Sequence, residues 1–371
     1  MARVVIDARE SGTGTGRYVD KLIENLHKLQ AGRPAGRQEF DFVVLSKPWR
    51  VEYLKKLAPD FKIIESDFKE FTFAEQTGFL KQLNSLNANL VHFTMTQQPV
   101  LYRGRSVTTI HDLTTIRFSN PAKNPVVFWA KQQVYKLVIK RVAHKSKHII
   151  VPSKFVKNDV AQYAKIATSK ISVTYEAADK ITAAPAPINT LANQKYIMYV
   201  GRPLPHKNLK RLMEAYSIIR NTRDSVKLVL VGKHDKLYER YAQWAQKEHI
   251  QGVVFTGFAS EGRLRWLYEH ATAYVFPSIS EGFGLPGLEA MAHGAPVISS
   301  NSASLPEIYG DAAEYFNPES TRDMVRVIGN VLENPARRTQ LKRLGGLQVR
   351  MYSWQKMAKQ TLEIYRKALN T

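Results

Sequence analysis

The run Pro277-Ser278-Ile279-Ser280-Glu281-Gly282-Phe283-Gly284-Leu285-Pro286-Gly287-Leu288-Glu289-Ala290-Met291-Ala292 sets two carboxylates on either side of a glycine-rich turn. It follows the apolar stretch Ala273 to Phe276, and Pro286 suits the first turn of a helix, so the spacing predicts strand, turn and helix in succession. Backbone amides in such a turn and at the helix start converge on one point, an anion site for a phosphate or a polar sugar. Carboxylates accept paired hydrogen bonds, so Glu281 in the loop and Glu289 in the helix could hold vicinal sugar hydroxyls. The same residues also read as a plain tight turn with a solvated glutamate at each end.

A second run, Gly201-Arg202-Pro203-Leu204-Pro205-His206-Lys207-Asn208-Leu209, follows the apolar stretch Tyr196 to Val200. Arg202 offers a planar fork to phosphate oxygens and Lys207 a point charge near the next helix start. Together they could neutralise a diphosphate, stabilising the charge left on a departing group; singly, each reads as a solvated loop cation. Near the start, Ser11-Gly12-Thr13-Gly14-Thr15-Gly16-Arg17-Tyr18 opens a helix, and Gly14 and Gly16 permit close backbone approach to a phosphate or sugar. The spacing is not the G-x-G-x-x-G of a dinucleotide site. His111-Asp112 ends the apolar stretch Ser106 to Ile110; the imidazole or its carbonyl could face developing positive charge on a sugar, or hold the strand end by hydrogen bonds. The chain has no D-x-D pair and no acidic or histidine cluster with metal-ligand spacing, so no metal is expected.

Strands and helices must carry these runs. Arg3 to Ile6 and Phe40 to Leu45 read as strands alternating with helical patterns at Tyr18 to Leu29 and Val51 to Leu57, which argues for βαβ units on a parallel sheet. Leu90 to Phe93, Ser106 to Ile110 and His148 to Val151 read as further strands. Ile181 to Gln194, with Pro185 and Pro187 and no periodicity, reads as an interdomain linker. The alternation then restarts, with strands at Tyr196 to Val200, Lys227 to Val231, Val253 to Thr256, Ala273 to Phe276 and Pro296 to Ser299. Leu209, Leu212, Met213 and Tyr216 line one face of a helix. The expected fold class is α/β, with two doubly wound parallel-sheet domains. Residues 1–183 and 195–352 form them, 184–194 link them, and an amphipathic segment at 353–371 packs back on the first. Ligands in such sheets lie beyond the carboxyl ends of the strands, so a facing pair would share one cleft.

At 371 residues the chain exceeds what one core fills. Its 54 Lys and Arg against 32 Asp and Glu give a formal charge of +22, a field that favours nucleotide phosphates, lipid head groups or nucleic acid. The lack of cysteine excludes a disulfide framework and a thiolate metal site. Met1 to Asp7 enters a strand directly and no run of about 18 apolar residues occurs, so export is not expected and any membrane contact is peripheral.

Together these residues resemble the retaining glycosyltransferases of family four, which have the GT-B fold of two Rossmann-like domains facing each other across a cleft. The resemblance covers nearly the whole chain: the glycine-rich first turn, His111-Asp112-Leu113, Val151-Pro152-Ser153-Lys154-Phe155, Gly201-Arg202 with Lys207-Asn208-Leu209, Thr256-Gly257-Phe258, and the E-x7-E motif from Glu281 to Glu289. It implies a nucleotide diphosphate sugar as donor substrate and no metal. By similarity Arg202 and Lys207 hold the diphosphate, Glu289 the ribose hydroxyls, and Glu281 with the backbone of Phe283, Gly284 and Leu285 the transferred sugar. Gly14 and Gly16 approach the donor phosphates, His111 lies beside the sugar, and the backbone near Phe258 borders the base. The implied chemistry is front-face attack, with the leaving phosphate taking the acceptor proton.

Tyr175-Glu176-Ala177-Ala178-Asp179 departs from the family, which often has a small polar residue and glycine before the aspartate, so acceptor contacts and hinge geometry there are not carried over. Gly-Phe-Gly-Leu-Pro with Ser304-Leu305-Pro306-Glu307 and Gly310-Asp311-Ala312-Ala313 resembles bacterial mannosyl- and other hexosyltransferases of cell-surface glycan assembly. That implies mannose from GDP-mannose and a saccharide or lipid-linked acceptor.

From Arg103 to Lys170 the chain is densely basic, with Lys123, Lys131, Lys136, Lys140 and Arg141 among the cations and only Asp112 and Asp159 opposing them. Val126, Val127, Phe128, Trp129, Val134 and Leu137 are interleaved, so Pro125 to Lys147 reads as a basic amphipathic helix. It suits an anionic leaflet, or a core-packing role with a solvated basic face. The first reading puts the protein in the cytoplasm, peripheral to the inner face of the cell membrane. Two other functions compete: a GT-B epimerase or phosphorylase, and a basic nucleic-acid-binding protein. The last leaves the motifs unexplained and shows no nucleic-acid module, so no nucleic-acid partner is expected.

Overall fold

The structure, a computed structural model, describes residues 1–32, 38–121, 124–222 and 225–370; Lys123 of the basic stretch lies outside them. Short runs of Val, Ile, Leu and Phe form β1 (Ala2–Asp7), β2 (Phe40–Ser46), β3 (Lys62–Glu65), β4 (Leu90–Phe93), β5 (Ser106–Thr109), β6 (His148–Val151) and β7 (Ile171–Val173), a sheet ordered β3-β2-β1-β4-β5-β6-β7. A second sheet, ordered β10-β9-β8-β11-β12-β13, comprises β8 (Lys195–Val200), β9 (Val226–Val231), β10 (Val253–Gly257), β11 (Ala273–Phe276), β12 (Val297–Ser300) and β13 (Ala313–Phe316). Every strand pairing is parallel. Central strands such as β4, β6 and β11 are buried throughout, as near-continuous apolar runs in a helix-covered parallel sheet should be.

Three strands are unannounced by the sequence patterns, namely β3, β7 and β13, and all three are sheet edges. Edge strands bury fewer side chains, so Lys62, Glu65 and Glu314 interrupt the apolar signal without cost.

The chain forms two compact units. The first comprises Met1–Leu113, Gln132–Glu176 and Ser353–Thr371; the second comprises Thr114–Lys131 and Ala177–Tyr352. The Ala/Pro segment expected as a linker is hydrogen-bonded into the second unit. Ile181 N–H donates to His293 Nε2 at 3.0 Å, Arg265 Nη1 to the Ala183 carbonyl at 3.1 Å, and Ala186 N–H to the Gly262 carbonyl at 3.0 Å. Prolines break periodicity, but the remaining backbone groups still require partners and find them here. Thr114–Lys131 also joins that unit, with Phe118 packed 5.4 Å from the His206 ring and Arg240 donating to the Pro121 carbonyl at 3.1 Å.

The helix Trp354–Asn370 packs on the first unit, burying Met357, Ala358, Leu362, Ile364 and Tyr365, and Arg366 holds Glu39 through contacts of 2.5 and 2.8 Å. Its Tyr365 hydroxyl lies 2.6 Å from His92 Nδ1; His92 Nε2 lies 2.8 Å from Thr109 Oγ1, which is 3.0 Å from the Tyr18 hydroxyl. Burial, assisted by the nearby His111, pushes His92 down to about 3, so the relay runs through a neutral imidazole. Tyr365→Phe strands one ring nitrogen in an apolar interior and is expected to destabilise the first unit by about 1–3 kcal/mol, read from urea unfolding; an unchanged midpoint would remove the relay from the unit's stability.

Candidate active site

In an open parallel sheet, loops leaving the carboxyl ends at the point where strand order reverses form a natural crevice. In the second unit that point lies between β8 and β11. The two loops that leave there are joined at several points. Ile279 N–H donates to the His206 carbonyl at 2.7 Å, and the Asn208 side-chain amide donates to the carbonyls of Pro277 at 3.2 Å and Pro318 at 2.8 Å. Lys207 Nζ donates to Glu281 Oε1 at 2.6 Å, with both side chains largely shielded from solvent. The structure thus brings together two residues 74 positions apart that the sequence placed in separate motifs.

Gly284 adopts φ 99°, and a Cβ there would lie 2.5 Å from the Tyr309 hydroxyl and 2.6 Å from Leu305 Cδ2. The Tyr309 hydroxyl instead donates to the Gly284 carbonyl at 2.6 Å, fixing the turn. The Phe283 ring is buried edge-on against Tyr352 at 5.5 Å, so its side chain belongs to the core and its backbone to the turn. Leu285 begins the helix Leu285–Ala292, whose N-terminus carries the favourable end of the helix dipole for an anion.

Arg202 takes a different place. It donates from Nε to Asp235 Oδ2 at 3.2 Å and lines a cavity of about 620 Å³ with Val200, Gly201, Gly232, Asp235 and Phe258. That volume lies within the range of nucleotide-sized sites. Phe258 is exposed there. Asp235 caps the next helix through Leu237 and Tyr238 N–H, which fixes the carboxylate that Arg202 meets. Glu289 is buried and receives a 3.4 Å hydrogen bond from the Tyr268 hydroxyl; it lies outside the lining of this cavity.

In the first unit strand order reverses between β1 and β4. Arg9, fully buried after β1, donates to Asp7 at 2.9 and 2.8 Å and to Glu75 at 3.0 Å, anchoring the loop that follows. Gly14 faces open space in that loop. Gly16 does not. It is buried, a Cβ there would lie 2.6 Å from the Glu10 carbonyl, and its N–H donates to Thr13, so it serves close packing and is not available to approach a ligand.

His111 follows β5 with both ring nitrogens engaged. Nε2 donates to the Thr94 carbonyl at 3.1 Å and Nδ1 lies 3.4 Å from Glu176 Oε1, while the ring stands edge-on to Tyr18 at 4.8 Å. Burial opposes its charge, but Glu176, the Thr94 carbonyl and Asp112 together hold the imidazolium above the ordinary histidine value. A ring so occupied has no free lone pair with which to act as a base. The sequence motifs give Glu176 no role; its only signal there is a carboxylate standing where the family often has a small polar residue. Among the described residues no three His, Asp or Glu side chains form a group able to hold a metal ion.

Residues 12–180 match the family model described as Glycosyltransferase Family 4, and residues 181–345 the model described as Glycosyl transferases group 1. An O-antigen chain mannosyltransferase B of Escherichia coli is 31% identical over 71% of this chain and 70% of its own length. The O-antigen chain mannosyltransferase RfbU of Salmonella typhimurium is 30% identical over 88% of this chain and 89% of its own. Among solved structures, sucrose-phosphate synthase of Thermosynechococcus elongatus matches with TM-score 0.76 at 18% identity, covering 99% of both chains. The HepE protein of Anabaena in complex with UDP-glucose matches with TM-score 0.74 at 14% identity, covering 99% of this chain and 100% of that one. The two parallel-sheet α/β units thus have the GT-B fold, and the enzyme is a glycosyltransferase. Within that class, the chain belongs to the group 1 glycosyltransferases of family four.

Because Glu176 raises the His111 value, the pair's contribution to stability is complete below the ordinary histidine value and fades as pH climbs through the raised one. Glu176→Gln is expected to destabilise the protein by roughly 1–3 kcal/mol near pH 6 and by clearly less near pH 9. Calorimetric melts at both pH values check this, and an equal loss at each would contradict the charged pair.

Proposed function

We propose that the protein is a retaining, metal-independent hexosyltransferase that moves mannose from GDP-mannose to a saccharide or lipid-linked acceptor of cell-surface glycan assembly. The observation that carries this reading is the Lys207–Glu281 pair at the β8/β11 crossover, beside the N-terminus of Leu285–Ala292. The choice of mannose is supported by the O-antigen mannosyltransferases at 31% and 30% identity.

In this reading residues 195–352 bind the donor and residues 1–183 serve the acceptor. The base lies against the backbone near Phe258, Glu289 takes the ribose hydroxyls, and Arg202 and Lys207 face the diphosphate. Glu281 and the backbone of Phe283, Gly284 and Leu285 orient the sugar, Gly14 leaves room for donor phosphates, and His111 lies beside the ring. The acceptor oxygen attacks C1 from the face that the phosphate leaves. The C1–O bond breaks with both electrons passing to the diphosphate oxygen, which takes the acceptor proton as the new C1–O bond forms. Fixed cations receive that charge without reorganising, so they favour the transition state. Binding of the diphosphate draws Lys207 from Glu281 and frees the carboxylate for sugar hydroxyls.

The helix Pro125–Lys145 supports a peripheral membrane position. Its buried face is Tyr135, Ile139, Val142 and Ala143; Val126, Trp129, Val134 and Leu137 are all more than half exposed among Lys131, Lys140 and Arg141. A merely solvated basic face would not present those apolar side chains, whereas an anionic leaflet receives both. Among the described residues no helix is long and apolar enough to cross a membrane.

Lys207→Ala is expected to lower GDP-mannose turnover about a hundredfold or more, with a lower melting temperature because Glu281 loses its counter-ion; undiminished turnover in the folded variant would remove the diphosphate role. In flotation with acidic-lipid vesicles at low salt, the wild type should rise with the lipid, and the triple variant Lys136→Glu, Lys140→Glu, Arg141→Glu should stay behind. Equal flotation of the two would refute the leaflet contact.

A further inference from the structure

At the carboxyl ends of β1 and β2 a cluster of aromatic side chains faces solvent, and the donor reading makes no use of it. Trp49 lies in the short turn Pro48–Arg50 directly after β2 and is 64% exposed, while Tyr53 on the helix that follows is 42% exposed. Neither ring is a loose surface residue. The Trp49 ring packs so closely on the glycine-rich loop that a Cβ on Gly12 would lie 2.6 Å from its Cη2. Between the two rings stands Arg50, its guanidinium 3.5 Å over the Tyr53 ring and 5.7 Å from that of Trp49. Arg50 is fixed in turn by Asp20 Oδ2 at 2.7 Å and Ser11 Oγ at 2.9 Å. Stacked cation and half-buried ion pair hold both rings in place before any ligand arrives.

The polar groups of the same loop define the occupant. Thr13 Oγ1 donates to Glu10 Oε2 at 2.5 Å, and Thr15 Oγ1 lies 3.4 Å from the same oxygen, with both threonines exposed. The Trp49 ring lies against the loop that carries this carboxylate and these hydroxyls, a combination suited to a pyranose, which packs its C–H face on a ring and turns its rim hydroxyls to acceptors and donors. The charge balance opposes a lipid surface here. Asp20 pairs with Arg50, Glu70 with Lys47 at 3.0 Å and Glu52 with Lys55 at 2.8 Å, and Arg17 follows the loop that carries Glu10, so cations and carboxylates are mixed here, whereas the helix Pro125–Lys145 contains no acidic residue.

We propose that Trp49 and Tyr53 form a stacking subsite for a sugar ring of the acceptor, which is therefore a saccharide of more than the reacting residue alone. The subsite deepens the transferase reading and rests on it for its place in the reaction, but its saccharide binding is independent of donor turnover.

The test is saturation-transfer NMR on the full chain with trisaccharides ending in mannose, galactose or N-acetylglucosamine. At least one should bind the wild type, with a dissociation constant raised about tenfold or more in Trp49→Ala and less than about threefold in Trp49→Phe. Thermal shift by GDP-mannose should be the same in all three proteins, which also shows that the variants fold. Binding of no trisaccharide, or equal binding by wild type and Trp49→Ala, overturns the subsite. So does a Trp49→Ala variant that keeps saccharide binding and loses vesicle flotation, which would assign the rings to lipid. If the wild type fails to turn over GDP-mannose while Trp49→Ala loses saccharide binding, the donor assignment falls and the subsite stands.

Discussion

Lys207 and Glu281 meet at 2.6 Å where the strand order of the second sheet reverses, and much of what surrounds them exists to keep them there. Two charges largely shielded from water are unfavourable alone and tolerable together. The left-handed Asn208, the Ile279–His206 backbone bond and the Gly284–Tyr309 contact each fix a loop that carries one of the partners. The two charges are therefore held paired and already oriented; in the proposed reading a substrate phosphate would exchange one counter-ion for another rather than assemble a site from mobile side chains.

Legibility in the sequence followed burial. Runs enclosed on both faces, such as β4, β8 and β11, are mostly apolar or aromatic and mark themselves, and the glycine-rich turns after β1 and β11 show because their backbone geometry restricts residue type. The edge strands β3, β7 and β13 were invisible because one side of each pleat meets solvent and tolerates charge. The segment after Ile181 misled for a different reason, since proline content reports helix and strand breaking and says nothing of whether carbonyls and amides find tertiary partners. Gly16 shows the same ambiguity at one residue: a glycine permits close approach, and only the fold reveals that the approaching group is the chain's own Glu10 carbonyl. Glu176 and His111 stand far apart in sequence, so no periodic pattern could have paired them.

Two exposed apolar surfaces also part company on charge. Around Trp129 and Leu137 every charged neighbour on the helix is a cation, whereas beside Trp49 the cations Lys47, Arg50 and Lys55 each have an acidic partner within hydrogen-bonding reach. Aromatic exposure on its own would not separate these surfaces, and the ion pairs do.

The order in which the first unit receives its parts has a consequence for biosynthesis. Its seven strands precede Ala177, but the helix that covers Phe40 and Phe42 and completes the His92 relay begins only at Trp354. At about 5–20 residues per second a ribosome needs roughly 10–35 s to deliver the intervening stretch. Throughout that interval a parallel sheet waits with part of its apolar face bare, while the second unit emerges nearly contiguous and can close on itself. The half that begins first is thus finished last, and it is the half for which a chaperone has most to shield.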